Sequence, residues 1–158
     1  MRESVRTERL LALLAHLVSF IALLPYFAGI TLIPAAPVWT VGLAFNSVIA
    51  LLSWKRSAFV LGHAAQAILL ILAAYLTEFL ALLFFIIASL FGIPINMTNG
   101  TLMQGQWAGV NPEVLIRVAL APLFLVIPFY RAYTALRGRK ARMRLLGAVA
   151  RYMTTRVR

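Results

Sequence analysis

The sequence lacks cysteine altogether and has few charged residues. Without cysteine, the 158-residue chain has no disulfide, no iron–sulfur cluster and no thiolate metal site. Charged residues make up 12% of the sequence, about half the share of a typical soluble domain, while hydrophobic residues reach 63%. This balance excludes an ordinary soluble protein, and we expect no separate soluble domain.

The charges are missing from four long segments. No ionised residue occurs over 10–33 or 38–54, the run 57–93 contains only Glu78, and the run 114–130 contains only Arg117. Apolar segments of about 20 residues are long enough to cross a bilayer as an α-helix. We therefore predict an all-α integral membrane protein with four transmembrane helices, and the expected spans are 10–33, 38–54, 58–93 and 113–134.

The sequence also lacks the residue sets that enzymes use. It contains no Ser–His–Asp set, no paired carboxylates, no HExxH motif and no Gly-rich phosphate-binding loop. We therefore expect no enzymatic activity.

The positive charge is distributed in a way that predicts the orientation. The net charge is +11, and nine of the fifteen basic residues lie within 131–158. Five others flank the first three spans: Arg2, Arg6, Arg9, Lys55 and Arg56. Because basic residues are retained on the cytoplasmic side, we predict a bacterial-type cytoplasmic membrane with both termini inside, and the pattern argues against nucleic acid as a partner. The transmembrane domain then covers 1–136 and a basic cytoplasmic tail covers 137–158.

The third apolar run is too long for a simple span. A helix over 57–93 would measure about 55 Å, against about 30 Å of hydrocarbon. A steep tilt and a projection beyond the bilayer are two explanations. We favour a third, in which 58–67, with His63 and Gln66, lies at the inner interface before the helix enters the membrane.

Two polar residues within the predicted spans are candidates for a function, Glu78 and Asn46. Glu78 interrupts the third apolar run, and an acidic group inside a membrane helix is costly and by default marks a function. One interpretation is a proton-transfer or cation site. The other is a structural hydrogen bond, either to a residue such as Asn46 of the second span or to a partner helix.

The chain has only two histidines, His16 and His63, and both fall in the inner half of the predicted bundle. One imidazole is enough to ligate a haem or a chlorophyll in a membrane helix. The alternative is that both are polar packing residues. The sequence requires no cofactor, and a haem or chlorophyll is one hypothesis for these residues.

The tail has the pattern of a basic, imperfectly amphipathic helix over 138–158. Four of its cations share one face: Lys140, Arg144, Arg151 and Arg158. Such a helix can lie on anionic lipids. A topology signal without a further role, and docking on an acidic partner or on RNA, are the other interpretations.

Several motifs, taken in order, resemble those of a known family. Ala15-His16-Leu17 lies in the first span, and Lys55-Arg56 follows the second. Phe59-Val60, His63 and Gln66 open the third, and a further similarity covers 126–133. The chain resembles the small four-helix bacterial membrane proteins related to the Tic20-type chloroplast import subunit. The resemblance implies four helices, with His63 and Gln66 as signature residues at the inner mouth of the bundle.

Three functions are consistent with these features. The first is a non-catalytic accessory or assembly subunit of a larger respiratory, photosynthetic or translocation complex, which would present small residues to other membrane subunits: Ala64, Ala65, Ala67, Ala73 and Ala74. The second is a Tic20-like protein-translocation or small-solute channel component, which requires a polar path. The third is a pigment- or haem-associated subunit that uses His16 or His63.

Overall fold

The computed structural model describes residues 2–27, 35–91 and 118–139, and the regular secondary structure of these ranges is helical. The helices are α1 (Arg2–Phe27), α2 (Ala35–Ser53), α3 (Ala58–Leu90) and α4 (Val118–Leu136). Each contains a segment that is long and apolar enough to cross a membrane, so the prediction of an all-helical protein with four candidate spans is confirmed. The four tail cations lie outside the described residues: Lys140, Arg144, Arg151 and Arg158.

Helix α1 is the centre of the bundle. It packs against α2, α3 and α4, whereas α3 has few contacts with α4. Helices α1 and α3 run parallel to each other, and α2 and α4 run antiparallel to them. The start of α1, the turn between α2 and α3, and the end of α4 therefore meet at one end, which we call the basic end because it carries Arg9, Lys55, Arg56 and Arg139.

The start of α3 is set by a serine cap. The hydroxyl of Ser57 accepts the N–H of Val60 at 3.3 Å, and its carbonyl oxygen accepts the N–H of Leu61 at 3.0 Å. A serine in this position satisfies backbone donors that have no partner in the first helical turn. The turn that carries Lys55 and Arg56 therefore leads directly into α3.

Helix α4 ends in a glycine-dependent turn. Gly138 has a φ of 68°, a left-handed conformation that glycine adopts without strain. Its N–H bonds to the carbonyl of Ala135 at 2.9 Å, and the N–H of Arg139 bonds to the carbonyl of Thr134 at 3.0 Å. This pair of bonds is a Schellman C-cap. The turn fixes the position of the Arg139 backbone. The guanidinium of Arg9 packs against the turn at Gly138.

The interior of the bundle is divided along its length. Small residues of α1 and α3 pack with Ile49 and Val60 towards the basic end: Ala15, Ala64 and Ala67. The other end holds what we call the aromatic cluster: Tyr26, Phe27, Trp39, Tyr75 and Phe124. There Phe27 stacks on Phe124 at 4.7 Å between ring centroids, and Trp39 meets Tyr26 and Tyr75 edge to face.

Most of the alanines expected to face partner helices face the bundle instead. Ala64 and Ala67 are buried against α1 and α2, and Ala74 is buried beside the aromatic cluster, while Ala73 is exposed. Small side chains let helices approach closely whether the neighbour belongs to the same chain or to another. In this chain they are used mainly for internal packing.

Helix α4 changes its hydrogen-bonding pattern at its prolines. A π-helical turn covers Pro122–Val126, and regular α-helix follows over Ile127–Leu136, with Pro128 in its first turn. Proline has no N–H to donate, so the ladder of hydrogen bonds is interrupted and the helix widens locally. The turn brings Phe124 inward, where it meets Phe27.

The segment 58–67 is the start of a regular helix, and its expected place at the inner interface stays a prediction. Helix α3 is continuous from Ala58 to Leu90, and its first turns carry Val60, His63, Ala64 and Gln66 buried inside the bundle. The apolar length of this helix extends at the other end. Tyr75 is level with the start of α2, and α3 continues beyond it for about 22 Å.

Candidate functional site

Five buried polar side chains lie in the basic half of the bundle, and we call them the polar layer. They are at most 4% exposed: His16 and Ser19 of α1, Asn46 of α2, and His63 and Gln66 of α3. On α1 and on α3 the two residues are three positions apart, so each pair shares a helical face. The sequence predicted four of these residues as candidates but not that they belong to one layer.

The two histidines are hydrogen-bonded to each other. Nε2 of His16 lies 2.9 Å from Nδ1 of His63, and Nε2 of His63 lies 3.1 Å from the backbone carbonyl oxygen of Arg139. The imidazole rings stand edge to face with centroids 5.2 Å apart. These contacts connect α1, α3 and the end of α4.

The Arg139 carbonyl determines where the hydrogens of the neutral pair lie. A carbonyl oxygen only accepts hydrogen bonds, so Nε2 of His63 carries a hydrogen and Nδ1 of His63 carries a lone pair. That lone pair accepts the hydrogen on Nε2 of His16, which leaves a lone pair on Nδ1 of His16. The result is a directed chain in which His16 donates to His63 and His63 donates to Arg139.

Ser19 and Asn46 form the second part of the polar layer. The hydroxyl of Ser19 donates to the carbonyl oxygen of Ala15 at 3.1 Å or to that of Ala67 at 3.3 Å. Its oxygen accepts a hydrogen bond from Nδ2 of Asn46 at 3.0 Å. Because the hydroxyl hydrogen is already used, Asn46 must present its NH₂ group to Ser19, and its Oδ1 is the free atom of the amide.

Three acceptor atoms of the polar layer have no hydrogen-bond partner among the described residues. They are Nδ1 of His16, Oδ1 of Asn46 and Oε1 of Gln66, and each belongs to a different helix. Buried polar atoms are almost always paired in folded proteins, and leaving one unpaired is especially costly away from water. All three atoms need a donor. The layer is therefore suited to a small species that donates hydrogen bonds or carries a proton.

Positive charges border the polar layer. Arg131 of α4 lies within electrostatic range of both imidazole rings. Arg9 packs against Gly138, next to the carbonyl group that His63 donates to. Helix α2 contributes no ionisable side chain. The site is an uncharged polar interior with cations on its α4 side and at the basic end.

The aromatic cluster closes the bundle beyond the polar layer. Trp39 and Phe124 are buried there, and Phe27 fills the space between α1 and α4. In the described part of the chain, these rings interrupt a polar path from one end of a single bundle to the other. A channel within one copy is therefore not favoured by the geometry.

The geometry of the histidines also bears on haem or chlorophyll binding. A ligating imidazole needs a free nitrogen that faces an open space. Three of the four ring nitrogens take part in hydrogen bonds, and the fourth, Nδ1 of His16, is buried. The two rings are arranged to bind each other rather than a macrocycle.

His63 and Gln66 lie towards the basic end of the bundle and are shielded from water, and their expected place at its inner mouth stays a prediction. Both are buried between helices, and His63 is fully covered. The polarity of His63 is satisfied by other segments of the chain, namely α1 and the end of α4.

Glu78 lies apart from the polar layer. It is half-buried on α3, about 22 Å from His63 along the helix and beyond Tyr75. A hydrogen bond to Asn46, which was one alternative for Glu78, is not formed: Asn46 donates to Ser19, and its Oδ1 has no partner among the described residues. Glu78 does interact with another residue of the chain.

Ser19 and the Arg139 carbonyl were not predicted as parts of the site. Ser19 could have been found, since it lies one turn after His16 on the same face of α1. The role of Arg139 depends on the turn at Gly138, which no sequence pattern connects to a histidine 76 residues away.

Comparison with known proteins finds no matching family model, no matching curated protein and no matching solved structure. The resemblance to Tic20-related proteins therefore stays a prediction from the motifs.

Proposed function

We propose that this protein is a non-catalytic accessory or assembly subunit of a larger membrane protein complex. The observation that carries the proposal is the length of α3. The hydroxyl of Tyr75 donates to the carbonyl oxygen of Ala36 at 2.7 Å, which makes Tyr75 level with the first turn of α2. From there to Leu90 the helix continues for about 22 Å beyond the described ends of α1 and α2.

This extension has two different faces. Thr77 and Glu78 are half-buried on one of them. The other face, which we call the α3 stripe, carries large exposed apolar side chains at helical spacing: Leu76, Phe79, Leu80, Leu83, Ile87 and Leu90. The α3 stripe is a continuous apolar surface that suits another membrane subunit.

The length of the extension argues for a protein partner rather than for lipid alone. Helix α2 has 19 residues and measures about 28 Å, which matches about 30 Å of hydrocarbon. In the proposed arrangement the hydrocarbon is matched to α2 and ends near Tyr75, so that most of the α3 stripe extends past it. Large apolar patches that lie outside lipid are covered by other proteins.

The proposed orientation follows from the basic end. The start of α1, the turn with Lys55 and Arg56, and the end of α4 all lie there. Lysine and arginine are retained on the cytoplasmic side, so the proposal places both termini in the cytoplasm of a bacterial-type cell, with anionic lipids of the inner leaflet as further partners. The α3 stripe then points to the outer side.

The experiment is site-specific photo-crosslinking in native membranes. A photoreactive phenylalanine analogue replaces Phe79 in the α3 stripe, and in a matched control it replaces Val41, which is 69% exposed on α2 within the length of the bundle. After purification in mild detergent, we expect a stoichiometric crosslink from position 79 to one other protein and none from position 41. No protein crosslink from position 79, or crosslinks to a second copy of this chain only, would overturn the proposal.

Single cysteines test the orientation and the depth of α3. Because the chain has no native cysteine, each introduced thiol is unique. We expect an impermeant maleimide to label Leu90→Cys in the purified, partner-free protein in liposomes, and to label Lys55→Cys in cells only after the cells are opened. Labelling of Lys55→Cys in intact cells would contradict the orientation, and complete protection of Leu90→Cys in the purified, partner-free protein in liposomes would contradict the extension beyond the bilayer.

A further inference from the structure

We propose that the polar layer is a proton-binding site, in which Nδ1 of His16 takes up the proton and His63 shares it. This inference is independent of the proposed subunit role. It rests on the directed hydrogen-bond chain from His16 through His63 to the Arg139 carbonyl. Within that chain only one ring nitrogen has an unused lone pair, and it is Nδ1 of His16.

Uptake at this atom leaves every existing hydrogen bond in place. A hydronium ion transfers a proton to Nδ1 of His16 and becomes water, and the new N–H bond converts the ring to imidazolium. Nε2 of His16 still donates to Nδ1 of His63. Only hydrogens move.

The 2.9 Å contact also allows the charge to be shared. The bond between Nε2 of His16 and its hydrogen breaks while a bond between that hydrogen and Nδ1 of His63 forms. His16 is then neutral with its hydrogen on Nδ1, and His63 is the imidazolium. Two imidazoles at this distance therefore hold one proton between them.

The Arg139 carbonyl favours a proton that stays on the histidine pair over one that leaves from Nε2 of His63. If His63 lost its Nε2 hydrogen, the lone pair of Nε2 would face the carbonyl oxygen at 3.1 Å, and two acceptors would oppose each other. That arrangement is unfavourable for a buried pair. The carbonyl at the end of α4 is therefore the last acceptor of the hydrogen-bond chain, and it prevents His63 from losing a proton towards the basic end.

The surroundings contain both opposing and supporting groups. Burial is the largest effect that opposes a positive charge on the rings, Arg131 of α4 opposes it further, and Arg9 adds a second cation at the Gly138 turn. Helix α2 presents no ionisable group. The oxygens Oδ1 of Asn46 and Oε1 of Gln66 belong to the same layer and have no donor among the described residues.

Histidine-selective ¹⁵N labelling tests the proposal directly. The chain contains two histidines, so the spectrum of the protein in liposomes contains four ring nitrogens. Near neutral pH we expect two nitrogens with hydrogen, two with lone pairs, and a through-hydrogen-bond coupling between Nε2 of His16 and Nδ1 of His63. On acidification, Nδ1 of His16 should gain hydrogen while the coupling between the rings persists.

Three results of this titration would overturn the proposal. The first is the absence of the coupling, and the second is its loss when the first proton binds. The third is that neither ring binds a proton before the bundle unfolds, as monitored by circular dichroism of the same sample.

The variant His16→Gln separates proton binding from structural support. The amide NH₂ of glutamine can still donate to Nδ1 of His63, but the free ring lone pair is gone. We expect His63 to keep its hydrogen on Nε2 and to stay neutral at the pH where the wild-type pair is half protonated. If His63 in this variant binds a proton at that same pH, the proton belongs to His63 alone and the proposal is wrong.

Discussion

Replacing Gly42 with alanine tests the closest approach of helices in the bundle. The new Cβ would lie 2.8 Å from Cβ of Ala22 and 3.2 Å from Cδ1 of Ile71. The end of the isoleucine side chain can rotate away, but Cβ of Ala22 moves only if α1 moves. Overpacking of this kind costs about 1–3 kcal/mol, and the higher helix propensity of alanine returns at most about 1 kcal/mol. We therefore expect the free energy of unfolding to fall by up to about 2 kcal/mol.

Reversible unfolding in mixed detergent micelles, followed by circular dichroism and tryptophan fluorescence, measures this change. The double variant Gly42→Ala, Ala22→Gly is the matched control, because it moves one methyl group from α1 to α2 and restores the space between them. It should recover most of the loss attributable to the clash, so the two substitutions should be strongly non-additive. Additive effects of the two substitutions would refute the close packing of α1 against α2.

Three further substitutions test single contacts by the same unfolding measurement. Ser19→Ala leaves Nδ2 of Asn46 without its acceptor and should cost about 1–3 kcal/mol, with part of the loss recovered when Asn46 is also changed to leucine; an unchanged stability would contradict the bond. Tyr75→Phe removes the 2.7 Å hydrogen bond to the start of α2 and should cost about 1 kcal/mol, so a neutral result would contradict that contact. Gly138→Ala should cost about 1–2 kcal/mol because its φ is 68°, and it should shift the ¹⁵N signal of Nε2 of His63, whereas Gly138→Asn should be milder on both measures.

The four helices could be predicted from the sequence because few structures other than a membrane-spanning helix accommodate an uncharged apolar run of this length. The ends were less predictable. Helix α1 begins at Arg2 rather than near residue 10. Charged residues can extend a helix beyond its apolar segment because their side chains reach water there. The burial of His63 and Gln66 was not predicted for another reason: their polarity suggested contact with water, whereas the bonds that satisfy His63 come from α1 and the end of α4.

Four of the five residues of the polar layer were predicted one by one, but their assembly was not. His16 and His63 are 47 residues apart, and no periodicity relates them. Their contact depends on the register of α1 against α3, which is set by the fit of Gly42 and by the packing of small residues at the basic end. The sequence marks Glu78 as a candidate because it is an acidic residue within an apolar run. In the structure its position past Tyr75 separates it from the polar layer.

The polar layer has more hydrogen-bond acceptors than donors, and this difference can distinguish a proton-binding site from a purely structural one. A layer that served only to hold helices in register would pair its donors with its acceptors, but here three acceptors lack donors. Gln66→Leu removes one of them. If the layer is structural, losing an unpaired buried amide should stabilise the bundle by about 1 kcal/mol and change nothing else. If it binds a proton, the same variant should gain stability and also require a lower pH to protonate the His16–His63 pair, as read from the ¹⁵N titration. A gain in stability with an unchanged titration would show that Gln66 takes no part in holding the proton, and a loss of stability would mean that its oxygen has a partner.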